Sequence, residues 1–347
     1  MSHRLSPQHS ILNPMFAGLT PEAFLASMVN ILGRREKMYQ TQMPTLLVAL
    51  GGNALIRKGE QGTIQQQFKN LAVPIRQIAK LSQEYRIIIT HGNGPQVGNL
   101  LLQQESCREV PRLPLEILVA QTQGQIGYMI ESTLDSQLMD LGIHVKPLVS
   151  LITYVVVDEN DAAFSEPSKP IGPAYKRKRD APFGYPMRKT PKGFRRVVVS
   201  PKPVTIIEKR EIKKLINADF IVICCGGGGI PVVREGRAFQ GVDAVIDKDL
   251  ASAKLAQEVG VDIFLIVTDV PAVALNYGTP EETYLRRMST KEAKQYLNAG
   301  QFAAGSMRPK VEAAVKYMQK KGRRAVITSI EEIIAAVKGK AGTEIVL

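Results

Sequence analysis

From Thr45 onward the apolar positions alternate between two spacings. Thr45–Leu50 is a short, almost unbroken apolar run closed by Gly51-Gly52. A run of that length between turn residues predicts a strand buried on both faces. Ile64, Phe68, Leu71, Ile75, Ile78 and Leu81 then recur every three or four residues, which predicts a helix. Arg86–Thr90 predicts a second strand, ended by His91-Gly92-Asn93-Gly94, and Pro95 suits the first turn of a following helix. A long helix is expected over Leu115–Leu141, followed by extended segments to Val157. Further on, the pattern predicts helix over Ile206–Asn217 and strand over Phe220–Cys225, before the run Gly226–Gly229. Lys248–Val259 reads as helix and Asp262–Val267 as a strand ending at Thr268-Asp269. Helix over Met307–Lys320 and strands over Ala325–Thr328 and Thr343–Val346 complete the series. Strands alternating with helices predict an α/β fold with a mainly parallel sheet covered on both faces. Ligands of such sheets sit beyond the C-terminal ends of the strands.

Two stretches break the pattern. Met1–Met43 carries Pro7, Pro14 and Pro21 and no strong period. It reads as a poorly ordered, dispensable extension with at best a short amphipathic helix over Pro21–Gly33, and Met43 is a candidate true start. No basic stretch leads into a continuous apolar core, so a secretory signal is not expected. Glu22 and Glu36 argue against a mitochondrial presequence. Asp158–Pro203 is rich in Pro, Gly, Lys and Arg and reads as a protruding insertion, a lid subdomain.

The 347 residues are 44% apolar and 22% charged, which excludes a disordered chain. The three cysteines, Cys107, Cys224 and Cys225, form no C-x-x-C pair, so neither a disulfide scaffold nor a zinc site is expected. Reduced cysteines point to the cytoplasm. No apolar run approaches the ~18 residues that would span a bilayer. Net charge is +13, and ten basic residues between Lys176 and Lys202, opposed only by Asp180, supply most of it. The charge therefore belongs to the insertion. Such a segment attracts phosphates or nucleic acid, or is simply a solvated hairpin.

Three strands end in glycine-rich loops: Gly51-Gly52-Asn53, Gly92-Asn93-Gly94 and Gly226–Gly229. Glycines let consecutive amides face an anion, and a following helix N-terminus adds partial positive charge. One such loop is weak; three at strand ends suggest a shared crevice. None is a G-x-x-x-x-G-K-[ST] phosphate loop, and none is a G-x-G-x-x-G loop with a ribose-binding acid. Lys248 and Lys310 both fall at expected helix starts, where the dipole disfavours a cation unless an anion lies nearby. Asp247 and Asp249 flank Lys248 and would hold lysines in register, reach a metal, or merely complement the helix N-terminus. His91 is expected to be structural rather than a titrating active-site group. Tyr277 is as readily a surface-loop residue as an adenine-stacking one.

The motifs Leu50-Gly-Gly-Asn-Ala-Leu55, His91-Gly-Asn-Gly-Pro-Gln96, Ser168-Lys-Pro-Ile-Gly172, Gly226-Gly-Gly-Gly-Ile-Pro231, Val245-Ile-Asp-Lys-Asp249 and Gly305-Ser-Met-Arg-Pro-Lys310 occur in this order. Together they resemble the carbamate kinase family of the amino-acid kinase superfamily, from about Thr45 to the C-terminus. The resemblance implies a three-layer αβα sandwich on an open, mainly parallel eight-stranded sheet, a mobile lid and a homodimer. Residues 44–219, including the lid at 158–203, would form a carbamate-binding lobe, and 220–347 a nucleotide-binding lobe.

By motif, Lys169 would reach from the lid to the carbamoyl phosphate, Lys248 and Lys310 would grip the transferring phosphoryl group, and Asp249 would orient those lysines. Gly51, Gly52, Asn53, Gly92, Asn93, Gly94, Gly227 and Gly228 would hold carbamoyl phosphate or carbamate. Thr268, Asp269, Tyr277 and Met307 would line the ATP/ADP site, with Mg²⁺ held mainly by the phosphates and no protein metal site. The implied reaction is carbamoyl phosphate + ADP ⇌ carbamate + ATP, in arginine or related nitrogen catabolism, in the cytoplasm. Running the same chemistry toward carbamoyl phosphate synthesis is an alternative. Tyr175, Phe183, Tyr185 and Phe194 among the lid's basic residues raise a third reading, a non-catalytic nucleic-acid-binding protein, but the full set of phosphate-site lysines argues against it. Two departures stand out. The extension before Met43 has no family counterpart, and the lid carries Thr190-Pro-Lys-Gly-Phe194 where the family has an acidic pair and a Gly-Arg-Gly-Trp stretch.

Overall fold

A computed structural model describes residues 43–107, 109–144, 146–178, 186–190, 193–319 and 322–347, with Thr20 and Ala23 before them. The expectations for Met1–Met43, including the helix over Pro21–Gly33, and for Phe183 and Tyr185 lie outside these residues. Residues 44–347 form one compact unit.

Its central sheet has eight strands. These are β1 (Thr45–Leu50), β2 (Arg86–His91), β3 (Leu148–Ser150), β4 (Ile221–Ile223), β5 (Ile263–Thr268), β6 (Arg287–Ser289), β7 (Arg324–Ser329) and β8 (Thr343–Val346). Their spatial order is β6-β8-β7-β5-β1-β2-β4-β3. Every pairing from β7 to β3 is parallel, whereas β8 runs antiparallel to β7 and β6 follows β8. The sheet is thus open and mainly parallel, as the alternation of elements predicts.

β1 shows why the chain forms three layers. All six of its residues are buried, yet successive side chains go to opposite faces. Leu47 and Ala49 join one core; Leu46, Val48 and Leu50 join the other. The second core is closed by α1 (Ile64–Leu81), α3 (Leu115–Asp140) and α8 (Ile333–Val337). The first is closed by α4 (Lys209–Asn217), α5 (Lys248–Val259), α6 (Thr290–Asn298) and α7 (Met307–Tyr317). α1 begins with a capping box. Thr63 Oγ1 accepts from the Gln66 amide, and Gln66 Oε1 accepts from the Thr63 amide.

The structure departs from the sequence pattern at Ile206, expected to open a helix but found as the last residue of a strand, Pro203–Ile206. It pairs antiparallel with Tyr154–Val157, and Glu258 of α5 accepts from the Ile206 amide and the Thr205 hydroxyl. The helix starts only at Lys209. Ile230–Glu235 and Ala238–Gly241 add a hairpin beside Tyr154–Val157, completing a second, four-stranded sheet.

The basic insertion is a small sheet of its own, ordered Lys169–Tyr175, Gly193–Val198, Met187–Thr190. It packs against α2 (Gly94–Ser106). Contact is closest where Gly98 of α2 meets Gly172: a Cβ on Gly98 would lie 2.0 Å from the Gly172 Cα. Arg196 of the insertion pairs with Glu105 of α2 at 2.7 Å. Gly98 has to lack a Cβ for that approach, and Gly172 has a φ of +67°, so the lid is seated by shape as well as by charge.

Candidate active site

β1, β2, β4 and β5 run the same way, so the loops that follow them emerge at one edge. After β1 the chain turns through a single 3₁₀ turn, Gly52–Ala54. The Gly51 amide donates to Val267 O at 3.1 Å, and a Cβ on Gly51 would sit 2.8 Å from that oxygen. Gly51 is thus required by close packing, and its own amide is engaged. The same pairing places Thr268, the last residue of β5, beside Gly51. After β2, the Gly92 amide donates to Leu50 O at 3.1 Å, and Asn93 precedes the first turn of α2. The leading amides of a helix have no acceptor within it, which leaves those after Asn93 facing the edge.

The third loop follows β4. Cys225, Gly227, Gly228 and Gly229 all have positive φ. The run is fixed from below by α3. Gln123 Nε2 donates to Gly226 O and Thr153 O, Gln123 Oε1 accepts from the Thr153 amide, and Thr153 Oγ1 accepts from the Cys225 amide. Asn93 Nδ2 donates to Thr122 Oγ1 at 2.9 Å, so neighbouring residues of one helix hold two of the loops. Sequence reasoning missed this clamp. Its signal is present, since Thr122 and Gln123 occupy the buried stripe of α3 with Leu118, Val119 and Ile126, where apolar residues are expected.

These loops and the lid enclose one cleft. It is lined by Gly51, Gly52, Gly92, Asn93, Gly94 and Gly227, by Lys169, Pro170 and Arg195 of the lid, and by Asp247, Lys248, Asp249 and Lys310. The four residues expected to be catalytic therefore meet. Asn53 and Gly228 lie just outside the lining, and Thr268, Asp269, Tyr277 and Met307 line no part of it. Thr268 Oγ1 donates to Asp269 Oδ1 at 3.1 Å, and Tyr277 is 63% exposed. Arg195 is a charged lining residue that sequence reasoning did not single out from the basic run. It donates through Nε and Nη2 to Gly172 O, at 3.0 and 2.7 Å.

The charges in the cleft are arranged in pairs. Lys248, the first residue of α5, lies 2.6 Å from Asp249 Oδ1 and donates to Ala49 O at 3.2 Å. Lys310, in the first turn of α7, donates to Asp249 Oδ2 at 2.9 Å. Lys169 donates to Asp247 Oδ2. Burial alone would push the Asp249 carboxyl up, but the ammonium groups of Lys248 and Lys310 outweigh it and hold the group well below the usual carboxylate range. Burial pulls the Lys248 ammonium below its ordinary value; Asp249 opposes the fall and Lys310 adds to it. Burial acts in the same sense on Lys310, but Asp249 outweighs it, helped by Asp247 and Asp269, so Lys310 titrates above the ordinary lysine value. The cationic groups at the two helix starts are thus stabilised by carboxylates, which answers the dipole penalty.

His91 is 1% exposed, and its Nδ1 lies 3.2 Å from Gly92 O. Burial lowers its pKa to about 4, with the Gly92 carbonyl opposing and Lys248 assisting. It is therefore neutral near pH 7 and serves as packing beneath the Gly226 loop, where a Cβ would approach Nε2 to 2.4 Å.

A cleft of amides and paired lysines at the C-terminal edge of a parallel sheet defines a phosphate-handling α/β protein. The model of the amino acid kinase family matches residues 44–329. The carbamate kinase of Thermococcus kodakarensis is 45% identical over 314 residues, covering 88% of this chain and 99% of that protein. Among solved structures, carbamate kinase from Giardia lamblia bound to citric acid superposes with a TM-score of 0.83 at 38% identity, covering 88% of this chain and 99% of that one. The same Giardia lamblia enzyme bound to AMP-PNP gives 0.80 at 38% identity, with the same coverage. The chain belongs to the amino acid kinase family and, within it, to the carbamate kinases.

Proposed function

We propose that the chain catalyses reversible phosphoryl transfer between carbamoyl phosphate and ADP, giving ATP and carbamate. The observation that carries this reading is the convergence of Lys169, Lys248 and Lys310 on one amide-rimmed cleft. A terminal oxygen of ADP attacks the phosphorus of carbamoyl phosphate. The bond from phosphorus to the carbamoyl oxygen breaks, and its electron pair leaves on carbamate. No proton has to move, which suits a cleft whose carboxylates are already paired with lysines. The task is to bring two anions together in line, and preorganised ammonium groups and amides do this with little reorganisation. Because the Gly51, Gly92 and Gly228 amides bond to backbone carbonyls, the amides of Gly52, Asn53, Asn93, Gly94 and Gly227 are those assigned to the carbamoyl phosphate.

Among the described residues no three His, Cys, Asp or Glu side chains are placed to hold a metal. Asp247 and Asp249 are held by lysines. Mg²⁺ would then come with the nucleotide phosphates. Thr268, Asp269, Tyr277 and Met307 are assigned to the nucleotide; of these, Asp269 lies near enough to Lys310 to influence its ammonium. Residues 44–219, joined by Gly227, would thus bind carbamate, and 220–347 the nucleotide. A homodimer, a cytoplasmic location and a place in arginine or related nitrogen catabolism rest on the family resemblance; no helix among the described residues is long and apolar enough to cross a membrane.

The test is ATP formation from carbamoyl phosphate, ADP and Mg²⁺. Lys248→Ala and Lys310→Ala are each expected to lose about 10²-fold or more in kcat, the scale of one preorganised charge contact. Near-normal turnover in either variant overturns the assignment.

A further inference from the structure

Asp247 has no part in the transfer step, yet it sits where the lid meets the body. Its two carboxylate oxygens do different things. Oδ1 caps α5, accepting from the Asp249 amide at 2.9 Å and the Leu250 amide at 3.3 Å. Oδ2 accepts from the ammonium of Lys169, on the first strand of the lid. The side chains of Lys169 and Asp247 are 25% and 14% exposed, so the pair is largely shielded from water.

We propose that Asp247 is a positioning residue that places the lid lysine over the cleft. This inference rests on the carbamoyl phosphate reading and adds what sets the lysine's position. A lysine on a mobile four-carbon stem loses rotamer freedom when it binds an anion. Holding it beforehand removes part of that cost. The holding carboxylate cannot swing, because two amides of the first turn of α5 fix its other oxygen. α5 also presents Lys248 and Asp249, so the cap sets Lys169 in register with the other two ammonium groups. An ammonium has three N–H donors. One goes to Asp247, and two remain for phosphoryl oxygens. Arg196–Glu105 and the Gly98–Gly172 approach seat the lid on α2, but neither lysine nor cleft is involved there.

The alternative is that Asp247 is a helix cap and nothing more. Asn and Ser cap about as well as Asp, so Asp247→Asn and Asp247→Ser keep the cap and remove the charge. Each is compared in the full chain with Lys169→Met and with the corresponding double variant. The first readout is KM for carbamoyl phosphate against kcat. The second is tryptic cleavage of the ligand-free protein at the exposed Lys176, Arg177 and Lys178. Both Asp247 variants are expected to raise KM roughly tenfold, the scale of one charged hydrogen bond, with a smaller change in kcat. Cleavage is expected to quicken several-fold, and the double variants to be no worse than Lys169→Met alone. A cap-only role gives wild-type KM and cleavage, and independent roles give multiplied effects; either result overturns the proposal. If the wild-type chain makes no ATP, the proposed reaction fails, and the cleavage rates still decide the role of Asp247.

Discussion

Asp249 carries more of the site than any one of the lysines it holds. It is 3% exposed and receives both Lys248 and Lys310. Removing one partner from a buried ion pair typically costs about 3–5 kcal/mol, because a charge is left without compensation. An exposed pair such as Arg57–Glu331, at 3.8 Å, is worth about 0–1 kcal/mol. Asp249→Asn therefore acts mainly on the two lysines. Without the carboxylate, Lys248 and Lys310 face each other, and both effects favour the neutral amine. The alkaline limb of the pH profile of kcat/KM is expected to move to lower pH, with turnover down about 10²-fold. An unchanged alkaline limb would show that neither lysine's charge depends on Asp249. These residues were legible in the chain because Val245-Ile246-Asp247-Lys248-Asp249 and Gly305–Lys310 are distinctive runs. Arg195 was not legible, being one of ten basic residues in the insertion, with nothing local to mark the one that turns inward.

The elements most easily read were those whose burial is uniform. β1, β2 and β5 are apolar on both faces, and α5 has the limits expected from its pattern. What escaped were short strands, such as the exposed Ala238–Gly241 and the pair of mostly buried Val273–Leu275 and largely exposed Thr283–Leu285. Three or four residues are too few to display a period, and only their cross-strand partners define them. Lid docking is invisible for the same reason: nothing near Gly98 in sequence announces that Gly172 lies against it. The pair gives a test that separates local from tertiary preference. Alanine is favoured over glycine in a helix interior by about 1 kcal/mol. Yet a Cβ on Gly98 would lie 2.0 Å from the Gly172 Cα, which the lid can relieve only by moving away. Gly98→Ala is expected to leave the thermal midpoint close to wild type or slightly lower while raising KM for carbamoyl phosphate severalfold. Unchanged KM would mean that the docked lid does not contribute to substrate affinity.

Taken as a whole, the molecule separates its charge from its core: the positive excess lies in the insertion, while a neutral histidine beneath the cleft and a lysine-paired aspartate in its wall are buried. That separation sets how stability responds to acid. The folded His91 has a pKa of about 4 against an ordinary 6.5. As pH falls through 6.5 the unfolded chain takes up this proton first, and the folded chain does not. Stability due to neutral His91 is thus complete above pH 6.5 and declines toward pH 4. The full loss is about 3 kcal/mol at 1.36 kcal/mol per pKa unit. Asp249 acts in a separate window. Its carboxyl is depressed in the fold, so its contribution is present above the ordinary carboxylate range and lost only in stronger acid. The decline between neutral and mildly acidic pH therefore belongs chiefly to His91. Urea unfolding at pH 7 and pH 4.5 is expected to differ by about 2 kcal/mol in the wild type, and by less than half of that in His91→Gln, which fills similar space and stays neutral. Equal pH dependence in the two proteins would assign the acid sensitivity to another group and remove His91 from the account of the Gly226 loop.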